Sequence, residues 1–167
     1  QPEINKIAID WFNAKFNEQL ETINDQYAKF KLSEALMSTY KLVWDDFCAW
    51  YLEMVKPEFI DGQPNPIDKT TYDATIIFFE KLLKILHPFM PFITEEIWHL
   101  IREREESDCI IAVEFPKADS YDKQLISEFN RVKEVITFVK NTRVQKKLNN
   151  KTPIKIEYTA EAEEQIV

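Results

Sequence analysis

Glycine is almost missing from this chain: Gly62 is the only one in 167 residues. Loops that cradle phosphates need several glycines, because backbone N–H groups must come close to the phosphate and the turns often require positive φ. One glycine can write neither a P-loop nor a dinucleotide fingerprint, so nucleotide binding by either route is excluded for this chain. Tight primed hairpin turns want glycine as well. Their scarcity, together with long apolar periods, predicts an all-helical body.

Cysteine and histidine are scarce too, with Cys48, Cys109, His87 and His99 the full complement. A Cys/His zinc site would need all four, and no paired Cys spacing is present. The sequence therefore predicts no metal site, and reduced intracellular thiols. No apolar stretch is long enough to span a bilayer, and QPEINKIAID lacks a signal-like apolar core, so no membrane partner is expected. The chain opens on Gln1 rather than Met, which reads as a piece of a longer protein.

What is present is a globular composition, 45% hydrophobic and 13% aromatic, with net charge −8. The charge is unevenly placed. From Arg131 to Lys155 stand Arg131, Lys133, Lys140, Arg143, Lys146, Lys147, Lys151 and Lys155 against Glu134 alone. That segment is +7 and the remainder −15. An acidic body that presents one basic segment can still meet a polyanion.

Periodicity predicts five helices. The first runs from about Lys6 to Ile23 on Ala8, Phe12, Phe16 and Leu20, broken by Asn24-Asp25. The second carries Leu36, Tyr40, Val43, Phe47, Trp50 and Met54, with Met37, Trp44 and Tyr51 beside them, and ends at Pro57. After a loop from Phe59 to Asp68, the third places Tyr72, Ile76, Phe79, Leu83 and Leu86 on one face and Phe78, Leu82 and Ile85 on another. His87-Pro88-Phe89-Met90-Pro91 interrupts it, and Pro91 opens the fourth helix. Ile93, Ile97, Leu100 and Ile101 carry that helix to about Glu105. An extended connector covers Asp108 to Lys117. The fifth helix holds Leu125, Phe129, Val132, Ile136 and Val139, and the next step of that stripe is Arg143. Pro153 introduces an alternating strand pattern, Ile154 to Tyr158. The expected organisation is a helical bundle over 1–150 and the start of a further subdomain over 151–167.

Two segments carry a family likeness. Trp44-Asp45-Asp46-Phe47-Cys48-Ala49-Trp50-Tyr51-Leu52-Glu53-Met54-Val55-Lys56-Pro57 closely resembles a stretch of the valyl-tRNA synthetases. Leu86-His87-Pro88-Phe89-Met90-Pro91-Phe92-Ile93-Thr94-Glu95-Glu96-Ile97-Trp98 is similar to their next helix junction, which isoleucyl, leucyl and methionyl enzymes share more loosely. Asn141-Thr142-Arg143, with Pro153-Ile154 after it, resembles the basic helix and the strand that follows. The likeness runs from about Ala8 to Tyr158. It implies the helical domain that receives the anticodon stem-loop of valine tRNA, in a monomeric cytoplasmic enzyme that joins valine to its tRNA using ATP with Mg. The HIGH-type and KMSKS-type signatures that hold ATP are absent, as are the editing domain and the C-terminal coiled coil. The resemblance therefore implies a non-catalytic piece without a cofactor of its own, whose partners are the tRNA and the catalytic domain of the same chain.

Single-stranded RNA loops are read by stacking splayed bases and hydrogen-bonding their edges, while Lys and Arg hold the phosphates. The candidate contacts are Lys140, Arg143, Lys146 and Lys147 along the RNA, with Lys84 and His87 near the loop. Each also has a plainer reading. The basic run could be a solvated helix end favoured by the dipole, Arg143 could pair with a buried acid, and His87 could be a hydrogen-bonded junction residue. Trp44, Phe47, Trp50 and Tyr51 read as core. Asp45 and Asp46 diverge by about 100° on a helix and do not converge on one ion; they read as solvated or capping groups. Glu95 and Glu96 read as first-turn carboxylates. Nothing aligns a nucleophile with a base. Three alternatives stand beside this reading: an anticodon domain of an isoleucyl or leucyl enzyme, a protein-binding bundle that never meets RNA, and a cofactor-holding bundle. The last would need repeated Glu-x-x-His pairs, and Glu96 to His99 is the single one.

Overall fold

A computed structural model describes residues 2–57, 59–60, 62–149 and 152–155. Among these, five helical rods dominate, as an all-α bundle requires. They are α1 (Glu3–Ala28), α2 (32–55), α3 (Lys69–Leu86), α4 (Pro91–Ile101) and α5 (Lys123–Gln145). Phe59–Ile60 and Gln63–Pro64 form a minimal antiparallel pair. It turns at Gly62 with φ +79°, a conformation that glycine adopts without steric cost. The described residues divide into two compact units, to Glu128 and from Phe129 onward. The expected boundary at 150–151 lies outside the described residues.

In the first unit α1 supplies the centre. Ala8, Trp11, Phe12, Phe16, Leu20 and Ile23 are buried at helical spacing, and the helix continues through Asn24-Asp25 to Ala28 instead of breaking there. The Phe12 ring lies 5.0–5.2 Å, centre to centre, from Phe47 and Tyr51 of α2 and Phe78 of α3. This aromatic hub joins three helices through offset and edge-on contacts. Polar ties set the register around it. Asp68 caps α3 by accepting from the Thr71 amide at 3.0 Å and its hydroxyl at 2.6 Å. The Asn5 amide of α1 donates to both Asp68 and Thr71. Tyr51 and Thr75 hydroxyls meet at 2.8 Å. The connector before α5 is held to α1 by Asp119 N–H donating to Asn17 Oδ1 (2.9 Å) and by the Tyr121 hydroxyl donating to Glu21 (2.8 Å).

The second helix departs most from its expected stripe. It is α-helical over Leu32–Lys41, π-helical over Leu42–Tyr51, and α-helical again over Leu52–Val55. Its buried face is Ala35, Thr39, Leu42, Asp46, Phe47, Tyr51 and Val55. Leu36, Met37, Tyr40 and Trp44, expected inside, are 44–60% exposed. Ala35 and Thr39 are fully buried, and the large residues one step round the helix are left outside. The widened π turn then rotates Phe47 and Tyr51 back to the core. Asp46, expected solvated or capping, is buried at 8% exposure.

The third helix buries Phe78, Leu82, Leu83 and Ile85, while Tyr72 is exposed. The fourth stops at Ile101 rather than near Glu105, because Arg102 is already extended. It buries Thr94 and Trp98 and leaves Ile93 and Leu100 exposed. With Pro91 as its first residue, Glu95 and Glu96 lie in its second turn, not its first. The connector after α4 contains a 3-10 turn at Ile110–Ala112. Ile110 there joins Leu83 and Trp98 in a second small core, flanked by Phe79, Ile97, Ile101 and Val113.

With so little glycine, two helices end on residues that rarely take left-handed backbone. α1 closes with Phe30 at φ 57°, its N–H bonded to Tyr27 O and that of Lys31 to Gln26 O. α5 closes with Lys147 at φ 51°, its N–H bonded to Val144 O and that of Leu148 to Arg143 O. Both are Schellman-type ends, in which glycine is the usual occupant. Of the expected strand, Pro153 to Lys155 carry no strand pairing, and Ile156 to Tyr158 lie outside the described residues.

Candidate nucleic-acid interface

The candidate residues occupy two places. Lys84 and His87 belong to the first unit, at the end of α3; Lys140, Arg143, Lys146 and Lys147 belong to the second.

In the first unit, His87 follows the last residue of α3 and its ring is half-buried. Its Nδ1 lies 2.8 Å from the Thr94 hydroxyl, which itself donates to Met90 O at 2.7 Å. A hydroxyl has one proton to give. With that proton on Met90 O, His87 Nδ1 is the donor to the Thr94 oxygen. The ring is thus hydrogen-bonded at the helix junction. Lys84, one turn earlier, places its ammonium 5.5 Å from the centre of the Trp98 ring. The Arg104 guanidinium lies 3.7 Å from the same ring centre. Arg104 is nearly buried and pairs with Glu80, which also receives Arg102 at 2.7 Å. Arg104 is thus held between the Trp98 ring and Glu80, and Lys84 lies over the same ring.

In the second unit the cations collect over the last turns of α5 and the reversal after it. Lys140, Lys146 and Lys147 are exposed. Arg143 Nη1 donates to Asn149 O at 2.8 Å, so its partner is the backbone of the returning chain and not a buried acid. Two further things follow from that bond. The guanidinium is held near the helix end, and several of its five N–H donors remain to face a ligand. Phe138 and Val144 on the same helix are 72% and 78% exposed. From Phe129 onward there are eight Lys/Arg against five Asp/Glu; up to Glu128 there are 13 against 24. The net charges are therefore +3 and −11.

One feature escapes periodicity. Tyr40 and Trp44 stack face to face on the outside of α2, 6.5 Å apart with a 12° interplanar angle. Their four-residue spacing was visible in the sequence, but it fits a buried stripe equally well. Which of the apolar faces of this helix looks outward was not legible.

An acidic helical unit followed by a unit of net positive charge defines a class: helical domains whose charge suits contact with a polyanion. Comparison with known proteins narrows it. The model of the anticodon-binding domain of tRNA ligase matches residues 10–158, and the chain belongs to that family. It is similar to curated valine–tRNA ligases of Christiangramia forsetii (47% identity over 154 residues), Parabacteroides distasonis (42% over 164) and Porphyromonas gingivalis (44% over 162). These alignments cover 92%, 98% and 97% of this chain. They cover 17%, 18% and 18% of the relatives, so the chain spans less than a fifth of their length.

Proposed function

We propose that this chain receives the anticodon stem-loop of a valine tRNA, as the docking domain of a cytoplasmic, monomeric valine–tRNA ligase. The observation that carries the reading is the charge separation: an acidic, well-packed helical unit and a basic helix end whose lysines stand in solvent. Lys140, Lys146 and Lys147 hold phosphates and displace their counterions. Arg143, steadied by Asn149, offers a planar fork to a phosphate or a base edge. His87 meets a base, and Lys84 adds positive charge close by.

The ligase reaction itself needs ATP with Mg, and these residues do not fit that pair. Gly62 sits in a short hairpin turn rather than at a helix N-terminus, so no glycine-rich phosphate cradle exists among the described residues. We assign ATP, Mg and the joining of valine to the remaining four-fifths of the enzyme, with the catalytic domain as this domain's partner in the same chain. Among the described residues no helix is long and apolar enough to cross a membrane.

The test is a salt titration of binding to an isolated anticodon stem-loop. Each phosphate contact on single-stranded nucleic acid contributes roughly 0.7 to the log–log salt slope. Changing Lys140, Arg143, Lys146 and Lys147 together to Gln therefore lowers the slope by about two to three. An unchanged slope removes the four from the interface. A stem-loop with its middle anticodon base changed binds more weakly if the domain reads the valine anticodon, and equally if it grips only the backbone.

A further inference from the structure

Near the small core of Trp98, a second cluster is brought together that the RNA reading does not use. Glu95 and His99 lie one turn apart on α4, with His99 Nε2 3.3 Å from Glu95 Oε1. Cys109 comes from the connector after the helix, and one ligand atom from each of the three lies within 4.8 Å of the others. The sequence offered a single Glu-x-x-His spacing, Glu96 to His99; the structure pairs His99 with Glu95 instead.

Cys109 is held at this place from both sides. The residue before it, Asp108, accepts a hydrogen bond on its carbonyl from Trp98 Nε1 at 3.1 Å. The residue after it, Ile110, donates its amide to both oxygens of Glu95 at 3.1 and 3.2 Å. The connector is thus anchored to α4 on either flank of the thiol. Ile110 packs beside Trp98 and Leu83 in the small core.

We propose that Glu95, His99 and Cys109 form a site for a divalent zinc-type ion. Sulfur, nitrogen and oxygen ligands in one set are what tetrahedral zinc accepts. Ligands at the usual zinc distances of about 2.0–2.3 Å stand about 3.3–3.6 Å apart in a tetrahedron. The Glu95–His99 separation already meets that spacing, and the Cys109 sulfur, now 3.7 Å from Glu106 O, stands within 4.8 Å of both. A thiolate and a carboxylate neutralise the ion's two charges, which suits a half-buried place. The Ile110 amide orients the carboxylate, as outer groups do at metal sites. On binding, Cys109 gives its proton to solvent, and His99 turns from partner of Glu95 to ligand. A water completes the fourth position. The ion ties α4 to the connector and closes the small core.

Cobalt(II) titration of the reduced, full 167-residue chain tests this. The expected result is one equivalent bound, with a thiolate-to-cobalt charge-transfer band and visible bands of tetrahedral intensity, both removed by added zinc. Cys109→Ser abolishes the charge-transfer band. His99→Gln weakens binding by more than the roughly tenfold that loss of even an outer-shell group costs. Cys48→Ser leaves the spectrum unchanged; burial pushes the Cys48 thiol up, away from the thiolate form a metal needs. Zinc raises the melting temperature of the natural chain but not of Cys109→Ser, while the two melt alike in chelator. No charge-transfer band, a band that survives Cys109→Ser, or one lost with Cys48→Ser overturns the assignment.

Discussion

The two units make opposite use of the same helical material. Up to Glu128 the chain is net negative, and its large side chains converge: Phe12 touches rings from two other helices, and Trp11, Phe12, Phe16, Leu20 and Tyr51 are shielded almost completely. From Phe129 the chain is net positive, and its helix shows apolar residues to solvent beside its lysines; Phe138 and Val144 are mostly exposed. The first unit has the marks of a scaffold, in which changes act through packing. The second has the marks of a contact surface, in which changes act through charge. The contrast fits the proposed docking of RNA, in which exposed cations meet phosphates.

Three measurements break or sharpen that contrast. The largest effect belongs to the scaffold. Phe12→Ala leaves a cavity among Phe47, Tyr51 and Phe78 and costs about 3–5 kcal/mol in urea unfolding. Neutralising Lys140, Arg143, Lys146 and Lys147 together changes the unfolding free energy by at most about 2 kcal/mol, less than Phe12→Ala, since single surface changes usually stay within about 0.5 kcal/mol. A similar loss from both would show that the basic end is part of the scaffold.

A smaller effect compares the two helix ends that lack glycine. Left-handed backbone costs a residue with a Cβ about 1–2 kcal/mol, part of which glycine gives back through its freer unfolded chain. Phe30→Gly is therefore expected to raise stability by up to about 1 kcal/mol with no change in RNA binding. Lys147→Gly is expected to give the same gain with weaker RNA binding, since it also removes a contact cation. Equal RNA affinity after Lys147→Gly would take that lysine out of the interface.

The subtlest effect is a change of shape in the acid limb of the stability curve. The hydroxyl of Thr71 holds the Asp68 carboxyl below the usual carboxylate range; partial burial opposes this, and the Thr71 amide and Asn5 add to it. A carboxyl depressed in the folded state stabilises the fold above its unfolded value of about 3.9. That contribution is lost as pH falls through the folded value. Asp68→Asn should flatten this part of the curve and leave the basic unit's RNA contacts untouched. An unchanged acid limb would mean that the cap is equally satisfied by the neutral side chain.

Much of the bundle was legible because helical burial is periodic. The stripe Ala8, Phe12, Phe16, Leu20 and Ile23 is buried as its spacing predicts, and Pro91 opens α4 where its missing N–H costs least. Legibility failed where several faces were apolar. In α2 the pattern fits Leu36, Tyr40 and Trp44 as well as Ala35, Thr39 and Leu42, and hydrophobicity alone favours the larger set. What the core accepted was the smaller set, and the π stretch then changed the pitch. Of the candidate interface, the clustering of cations was visible as charge, whereas the Arg143–Asn149 bond was not. Neither was the Cys109 cluster, because its members come from one helix and a connector that only packing brings beside it.

By itself the sequence determined the helical class, by its near lack of glycine and its apolar periods, and the place of the basic segment, by simple addition of charges. Local chemistry suffices for both, since backbone freedom and net charge are properties of the residues themselves. Tertiary structure alone decided which face of α2 looks inward, which hydroxyl meets the His87 ring, and which carboxylate meets His99. Those depend on distances between residues far apart or one turn out of phase, and close packing of side-chain volumes sets such distances, not the order of the residues.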